Sequence, residues 1–273
     1  MTGMTRAAGQ MAAFLRRDLR EALTYKFSFV SSLAGIFLSS ATFYFVAMLV
    51  PRGTPALEAF GGDYFSFAVV GVAFSSLLGM FQEGLPSVVR GAQVSGTLEA
   101  LLVTPASMPT VLFGSSLYSL LFHVLRTALH LGVALALFGL RLGRVNGPGI
   151  LAVGALTVLC FLSVGILSAS FILVYKTGNP FAWIFGTVSG LFGGVVFPVS
   201  LLPPWLRWIS QLLPVTYALN GMRKSLLASA SWSEILPDAA ALAIFAAVLL
   251  PSSLLAFRLA LRKAKKDGTL SHF

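Results

Sequence analysis

Three basic side chains inside one apolar run are the residues best placed to do chemistry. His123, Arg126 and His130 are spaced i, i+3 and i+7, so a helix puts them on one face. Two histidines seven residues apart are too far for two ligands on adjacent turns, and no metal site is expected. An arginine near mid-bilayer costs at least about 2.5 kcal/mol on insertion scales. Two readings of Arg126 stand side by side. It bonds backbone carbonyls inside the bundle or snorkels, or it contacts a phosphate of lipid or of an anionic substrate. The one cysteine, Cys160, lies in an apolar run and reads as a small buried hydrophobe. A disulfide framework within the chain is excluded.

Absent motifs narrow the chemistry further. There is no G-x-x-x-x-G-K-[ST] loop, so ATP is not bound here through a Walker site. There is no G-x-S-x-G elbow and no H-E-x-x-H motif. No ladder of intramembrane carboxylates is present, of the kind that proton-driven carriers use. No cofactor is expected in this chain.

The elements that must position these residues are membrane spans. The chain has 273 residues, 57% hydrophobic and only 10% charged. A soluble domain is usually about 25% charged. So much apolar surface must use lipid as solvent. The formal charge of +10 falls mostly at the two ends and in short loops. That distribution writes membrane topology, and no nucleic-acid partner is expected.

About 20 apolar residues cross a bilayer. Six runs qualify, at roughly 27–50, 64–82, 110–139, 149–174, 181–200 and 237–258. The expected fold is therefore an all-α integral membrane protein with six spans. Residues 10–26 carry Met11, Phe14, Leu15, Leu19 and Leu23 at helical spacing, with Arg16, Arg17, Asp18, Arg20 and Glu21 opposite. This predicts an N-terminal amphipathic helix over 1–26 lying in the headgroup layer. The membrane-spanning body is 27–258, and 259–273 is a basic tail. No internal repeat is visible, although inverted three-plus-three symmetry is often hidden in sequence.

With the N-terminus inside, the cytosolic segments hold Arg6, Arg16, Arg17, Arg20, Lys26, Arg90, Lys176, Arg258, Arg262, Lys263, Lys265 and Lys266. The outer segments hold Arg52, Arg141, Arg144, Arg207, Arg223 and Lys224. The inner set is about twice the outer one, as the positive-inside rule expects. Both termini are then cytosolic, and the tail is placed to touch anionic lipid.

Between the second and third runs lies SGTLEALLVTP, residues 95–105. Gly91, Ser95 and Gly96 are expected to break a helix continuing from the second span. Ser95 or Thr97 caps a new one. Leu98, Leu101 and Leu102 give it an apolar edge, Glu99 suits its dipole, and Thr104 and Pro105 end it. A further segment, 189–227, reads SGLFGGVVFPVSLLPPWLRWISQLLPVTYALNGMRKSLL. Together, in this order and with six spans, the two segments resemble type-2 ABC exporter permeases. The similarity runs over nearly the whole chain.

The resemblance implies a cytosolic coupling helix in which Ser95, Gly96, Thr97, Leu98, Glu99, Leu101 and Leu102 contact a separate ABC ATPase subunit. Two ATPase copies would sit beneath a dimer of six-span subunits, either a homodimer or a pair with a related permease. ATP and Mg would be bound in that partner. It also implies that spans one, two and five line the export path, and that the N-terminal helix rests on the ATPase. Glu99 has two readings, stabiliser of its own helix or salt-bridge partner for a docked Arg or Lys.

The segment after the fifth run also reads from its residues. Pro198, Pro203 and Pro204 end that span, and Pro214 breaks the chain again. Trp205, Leu206, Trp208, Ile209, Leu212 and Leu213 fall at helical spacing between them. Non-helical backbone at membrane depth must be covered by protein or line a wet cavity. Two short re-entrant helices between spans five and six are expected, with Pro203, Pro204, Trp205, Trp208, Leu212 and Pro214 as an outer gate. An aromatic belt is the plainer alternative. Within span five, Gly186, Gly190 and Gly194 form a small-residue face for close helix approach. Gly193 beside Gly194 marks a point where the span can bend.

The leading functional reading is an export permease of a two-component ABC system in a prokaryotic inner membrane. Phe37, Phe43, Tyr44 and Phe45 in span one, with Arg126, are candidates for path lining or lipid contact. Such a lining suits an amphipathic drug, a lipid or a lipid-linked glycan; lipid-facing phenylalanine is the alternative. The competing class is a secondary transporter or channel with no ATPase. An intramembrane enzyme lacks any nucleophile and base pairing.

Overall fold

The computed structural model describes residues 26–51, 53–94, 96, 108–176 and 179–266. Its elements are α1 Lys26–Leu49, α2 Tyr64–Val94, α3 Met108–Phe138, α4 Gly147–Tyr175, α5 Pro180–Phe192, α6 Pro204–Gln211, α7 Pro214–Leu226 and α8 Trp232–Lys266. Short 3-10 turns occupy Pro55–Phe60 and Val199–Leu201. Most of the expected N-terminal helix lies outside the described residues. So do Ser95, Thr97, Leu98, Glu99, Leu101 and Leu102, and the tail beyond Lys266.

Local chemistry sets the helix ends. Asn146 caps α4 by accepting the N–H of Gly149 at 3.0 Å, and Asn179 caps α5 by accepting that of Ala182 at 3.0 Å. Each asparagine precedes a helix with proline in its first turn, where the missing N–H costs nothing. Pro86 sits inside α2, and Pro237 and Pro251 inside α8. Apolar spans tolerate such breaks because neighbouring groups re-satisfy the backbone.

Among the described residues five helices, within α1, α2, α3, α4 and α8, are long and apolar enough to cross a membrane. The fifth expected run, 181–200, differs. It is helical only over Pro180–Phe192, 13 residues. At 1.5 Å per residue that is about 20 Å, short of a ~30 Å hydrocarbon core. The cause is local: Gly193 closes the helix and Gly194 turns the chain at φ +75°. A Cβ at Gly193 would collide with the Ser189 carbonyl oxygen and with Val215, so only glycine fits there. Gly194 therefore lies beyond the helix and does not extend a face with Gly186 and Gly190.

The second expected run is longer than its pattern suggested. Gly91 does not break it, and α2 continues to Val94 before Gly96 turns at φ +66°. One glycine in a helix costs only about 1 kcal/mol. Leu85, Val89, Ala92 and Gln93 are buried along this extension, and Gln93 Nε2 donates to the Leu173 carbonyl of α4 at 3.4 Å. Packing on α4 carries the helix past its glycine. At the other end of the chain, α8 also runs on to Lys266, with Phe257, Ala260 and Ala264 buried.

The core centres on α4, which packs on α2, α7 and α8. Close approach comes from small residues. At Gly165 a Cβ would overlap the Phe81 carbonyl oxygen of α2. In contrast, among its described side chains α1 buries only Ile36 and Ser40, and it packs on α2 and α3. Leu38, Phe45, Leu125, Leu151, Ile244 and Val248 are exposed around the bundle. An apolar exterior of this kind is what a lipid solvent requires.

Candidate functional site

The break after α5 is held by one side chain. Arg223, on α7, is 1% exposed. Its Nη1 donates to the Gly194 carbonyl at 2.7 Å and its Nη2 to Val195 at 2.6 Å. Its Nε donates to the Phe67 carbonyl of α2 at 3.1 Å. The guanidinium carbon lies 3.4 Å from the Phe67 ring centroid and 6.0 Å from that of Phe60. A planar fork of donors can meet three carbonyls and a ring face at once, which an ammonium cannot. The carbonyls of Gly194 and Val195 lie just past the C-terminus of α5, where partial negative charge collects. No acidic side chain bonds this cation among the described residues. The charge count assigned Arg223 to an outer segment; in the fold it is a buried clamp joining α2, α7 and the chain leaving α5. Periodicity held the missed signal: Arg223 lies i+4 from Leu219 and beside Met222, on the apolar side of α7.

Two further contacts fix the same segment. A Cβ at Gly71 of α2 would overlap the Val195 carbonyl oxygen and the Arg223 guanidinium. Ser210 Oγ donates to the Phe192 carbonyl at 2.6 Å, tying α6 to the last residue of α5. Arg207, also counted with the outer charges, turns back to the Leu202 carbonyl at 2.8 Å and the Ser200 carbonyl at 2.6 Å.

The residues expected to gate this region fall on α6 and its ends. Pro204 starts α6 and Pro214 starts α7. Trp205, Trp208 and Leu212 are 69%, 57% and 63% exposed. They occupy one face, while Ser210 is buried behind them. The tryptophans are thus outside the subunit, not plugged into it. Pro203 is exposed and Pro214 is buried.

Beside the break, a cleft of about 410 Å³ runs between α2, α4 and α5. Ser75, Gln82 and Glu83 of α2 face Trp183, Thr187 and Ser189 of α5 across it. Gly186 and Gly190 also line it, so small side chains here leave space as well as allowing contact. Asn179 Nδ2 donates to the Gln82 carbonyl at 3.2 Å, closing one end.

The aromatic candidates of the first span converge on a residue of α3. Phe37 and Tyr44 stand 5.6 Å and 5.5 Å from the Phe138 ring, and Tyr44 meets Phe65 edge-on at 5.8 Å. Phe43 packs half-buried on the same cluster. The basic face of α3 divides. His123 pairs with the Ser119 carbonyl at 2.9 Å, Arg126 is half-buried, and His130 is buried with Nε2 unpartnered. Among the described residues no group of His, Cys, Asp and Glu is arranged to hold a metal.

A bundle of long apolar helices, with a clamped helix break beside a polar-edged cleft, is the architecture of a polytopic membrane protein. Residues 9–227 match the ABC-2 type transporter family, and the chain belongs to it. It is 27% identical over 171 residues to nodulation protein J of Sinorhizobium fredii, which covers 61% of this chain and 63% of that protein. It is 24% identical over 190 residues to the inner membrane transport permease YadH of Escherichia coli, over 68% and 72% of the two. It is 24% identical over 214 residues to the linearmycin resistance permease protein LnrN of Bacillus subtilis, over 77% and 54%. The chain thus spans less than two thirds of the nodulation protein and about half of LnrN. Its family is one of transmembrane ABC permeases, which work in general with a separate ATPase.

Proposed function

We propose that this chain is the transmembrane permease subunit of an ABC exporter, and that it forms the path for an amphipathic drug, lipid or lipid-linked glycan. Family membership over residues 9–227 is the observation that carries this reading. The cleft between α2 and α5 supports the path, because it offers polar groups in an apolar bundle. A relative named for linearmycin resistance supports a drug among these cargoes.

On this reading the bilayer is crossed six times, with α5 completing one crossing together with re-entrant α6 and α7. Both termini are cytosolic, in a prokaryotic inner membrane. The segment 95–105 is the coupling helix, where Glu99 and Leu101 meet the ATPase. Trp205, Trp208 and Leu212 form the outer gate, on the exposed face of an α6 that hangs between prolines and meets the core through Ile209 and Ser210. Two permeases, identical or related, assemble above two ATPase copies that bind ATP and Mg. Co-purification with a Walker-loop ATPase, lost in Glu99→Ala and Leu101→Ala variants, tests the assembly. A variant pair that leaves the ATPase bound would contradict the docking site, and transport without nucleotide would favour a secondary carrier.

A further inference from the structure

A cavity of about 620 Å³ opens where α1 ends, α2 begins and α3 ends. That lies within the roughly 300–1,000 Å³ range of small-molecule sites. It is remote from the cleft between α2 and α5 and shares no lining residue with it. Its wall is aromatic: Tyr44, Phe65 and Phe138 line it, and their rings pack on one another.

The polar groups around it are unequal in what they leave open. The Asp63 carboxylate is engaged, accepting the Ser66 N–H at 2.9 Å and the Ser66 hydroxyl at 2.5 Å as the cap of α2. Ser66 Oγ in turn accepts the Arg141 backbone N–H at 3.0 Å. Both bonds to Asp63 use Oδ2, and Asp63 Oδ1 takes none from described residues; beside it stands a set of unpaired donors. The Arg141 guanidinium and the hydroxyls of Tyr44 and Tyr64 line the cavity and make no hydrogen bond or ion pair with described residues. A cation and two phenols above an aromatic wall select one chemistry: an anionic, acceptor-rich head on an apolar tail.

We propose that this cavity holds one anionic phospholipid, its phosphate on Arg141 and the two tyrosine hydroxyls, its acyl chain along Phe65 and Phe138. The site rests on the orientation read above, which puts this end of the bundle in the outer leaflet. It needs neither transport nor an ATPase to be occupied. A resident lipid here would brace α1, whose contacts with the bundle are few, against α2 and α3.

The test is lipid retention by the purified full chain, measured by native mass spectrometry after exchange into mixed phosphatidylglycerol and phosphatidylcholine micelles. Wild type should retain one phosphatidylglycerol in preference to phosphatidylcholine. Arg141→Gln should reduce that preference about tenfold, the worth of one charge-assisted contact. Tyr44→Phe should reduce it less. Arg144→Gln, an exposed charge outside the cavity lining, should leave it unchanged. Equal retention of both lipids, or equal losses in the Arg141 and Arg144 variants, overturns the site. So does recovery of a non-lipid amphiphile from the wild-type cavity. Melting temperatures of the variants check folding. Loss of ATPase docking in the Glu99 variant would bear on the transport reading alone.

Discussion

The guanidinium of Arg223 stacks on the ring of Phe67 at 3.4 Å while its Nε bonds that residue's own carbonyl at 3.1 Å. One residue of α2 thus presents both faces of its chemistry to one buried cation. The other two donors reach past the end of α5, so one side chain joins α2, α7 and the helix break. This clamp ties the chain leaving α5 to both α2 and α7.

Replacing Arg223 should destabilise the fold severely. An Arg223→Met change leaves three buried carbonyls without donors, at about 1–3 kcal/mol for each group so orphaned. Arg223→Lys should recover little, because a point charge cannot fork to two carbonyls and stack on a ring. Melting of the purified protein in detergent measures both; a lysine variant as stable as wild type would show that charge alone suffices.

Gly71→Ala should mimic loss of the clamp without touching Arg223. The new methyl would occupy the place of the Val195 carbonyl and the guanidinium. Because both changes break one contact set, the double variant with Arg223→Met should be scarcely worse than either alone. Gly132→Ala on α3, where nothing lies within 4 Å, should cost no stability. Full additivity in the melting temperatures would place the two residues in separate networks.

Much of this arrangement was legible in the chain and some was not. Pro204 and Pro214, read in the chain as breaks, stand in the first turns of α6 and α7, because proline punctuates wherever it falls. Phe37 and Tyr44 were visible as aromatics of the first span, whereas Phe65 and Phe138 meet them only through tertiary packing. Gly91 misled because burial against α4 outweighs one glycine. The run 181–200 misled because hydropathy does not register the φ of Gly194. Arg223 was hidden by counting charges along the chain, which treats a basic residue between spans as solvated. The coupling segment 95–105 remains a reading of sequence and family.

The ion pair of Lys224 and Asp238 should matter through its buried member. Lys224 Nζ lies 2.6 Å from Asp238 Oδ2 and also donates to the Glu234 carbonyl at 3.1 Å, joining α7 to α8. Lys224→Met strands a carboxylate that is 6% exposed. That should cost about 3 kcal/mol, and adding Asp238→Leu should restore part of it. A double variant less stable than the single one would contradict this order.

Breaking α6 should separate hydrolysis from export. Trp208→Pro removes helical hydrogen bonding from an eight-residue helix while leaving Arg223 and the core untouched. ATPase activity of the assembled complex should persist while cargo movement falls at least roughly tenfold. Full transport by this variant would remove α6 from the outer gate.

The central claim is that energy reaches this chain from a second protein. Cargo movement across proteoliposomes tests it most directly, with the permease alone, with its ATPase, and with ATPase and ATP. The account predicts movement only in the last case, abolished by Glu99→Ala and Leu101→Ala together. Movement by the permease alone, without nucleotide, would contradict it.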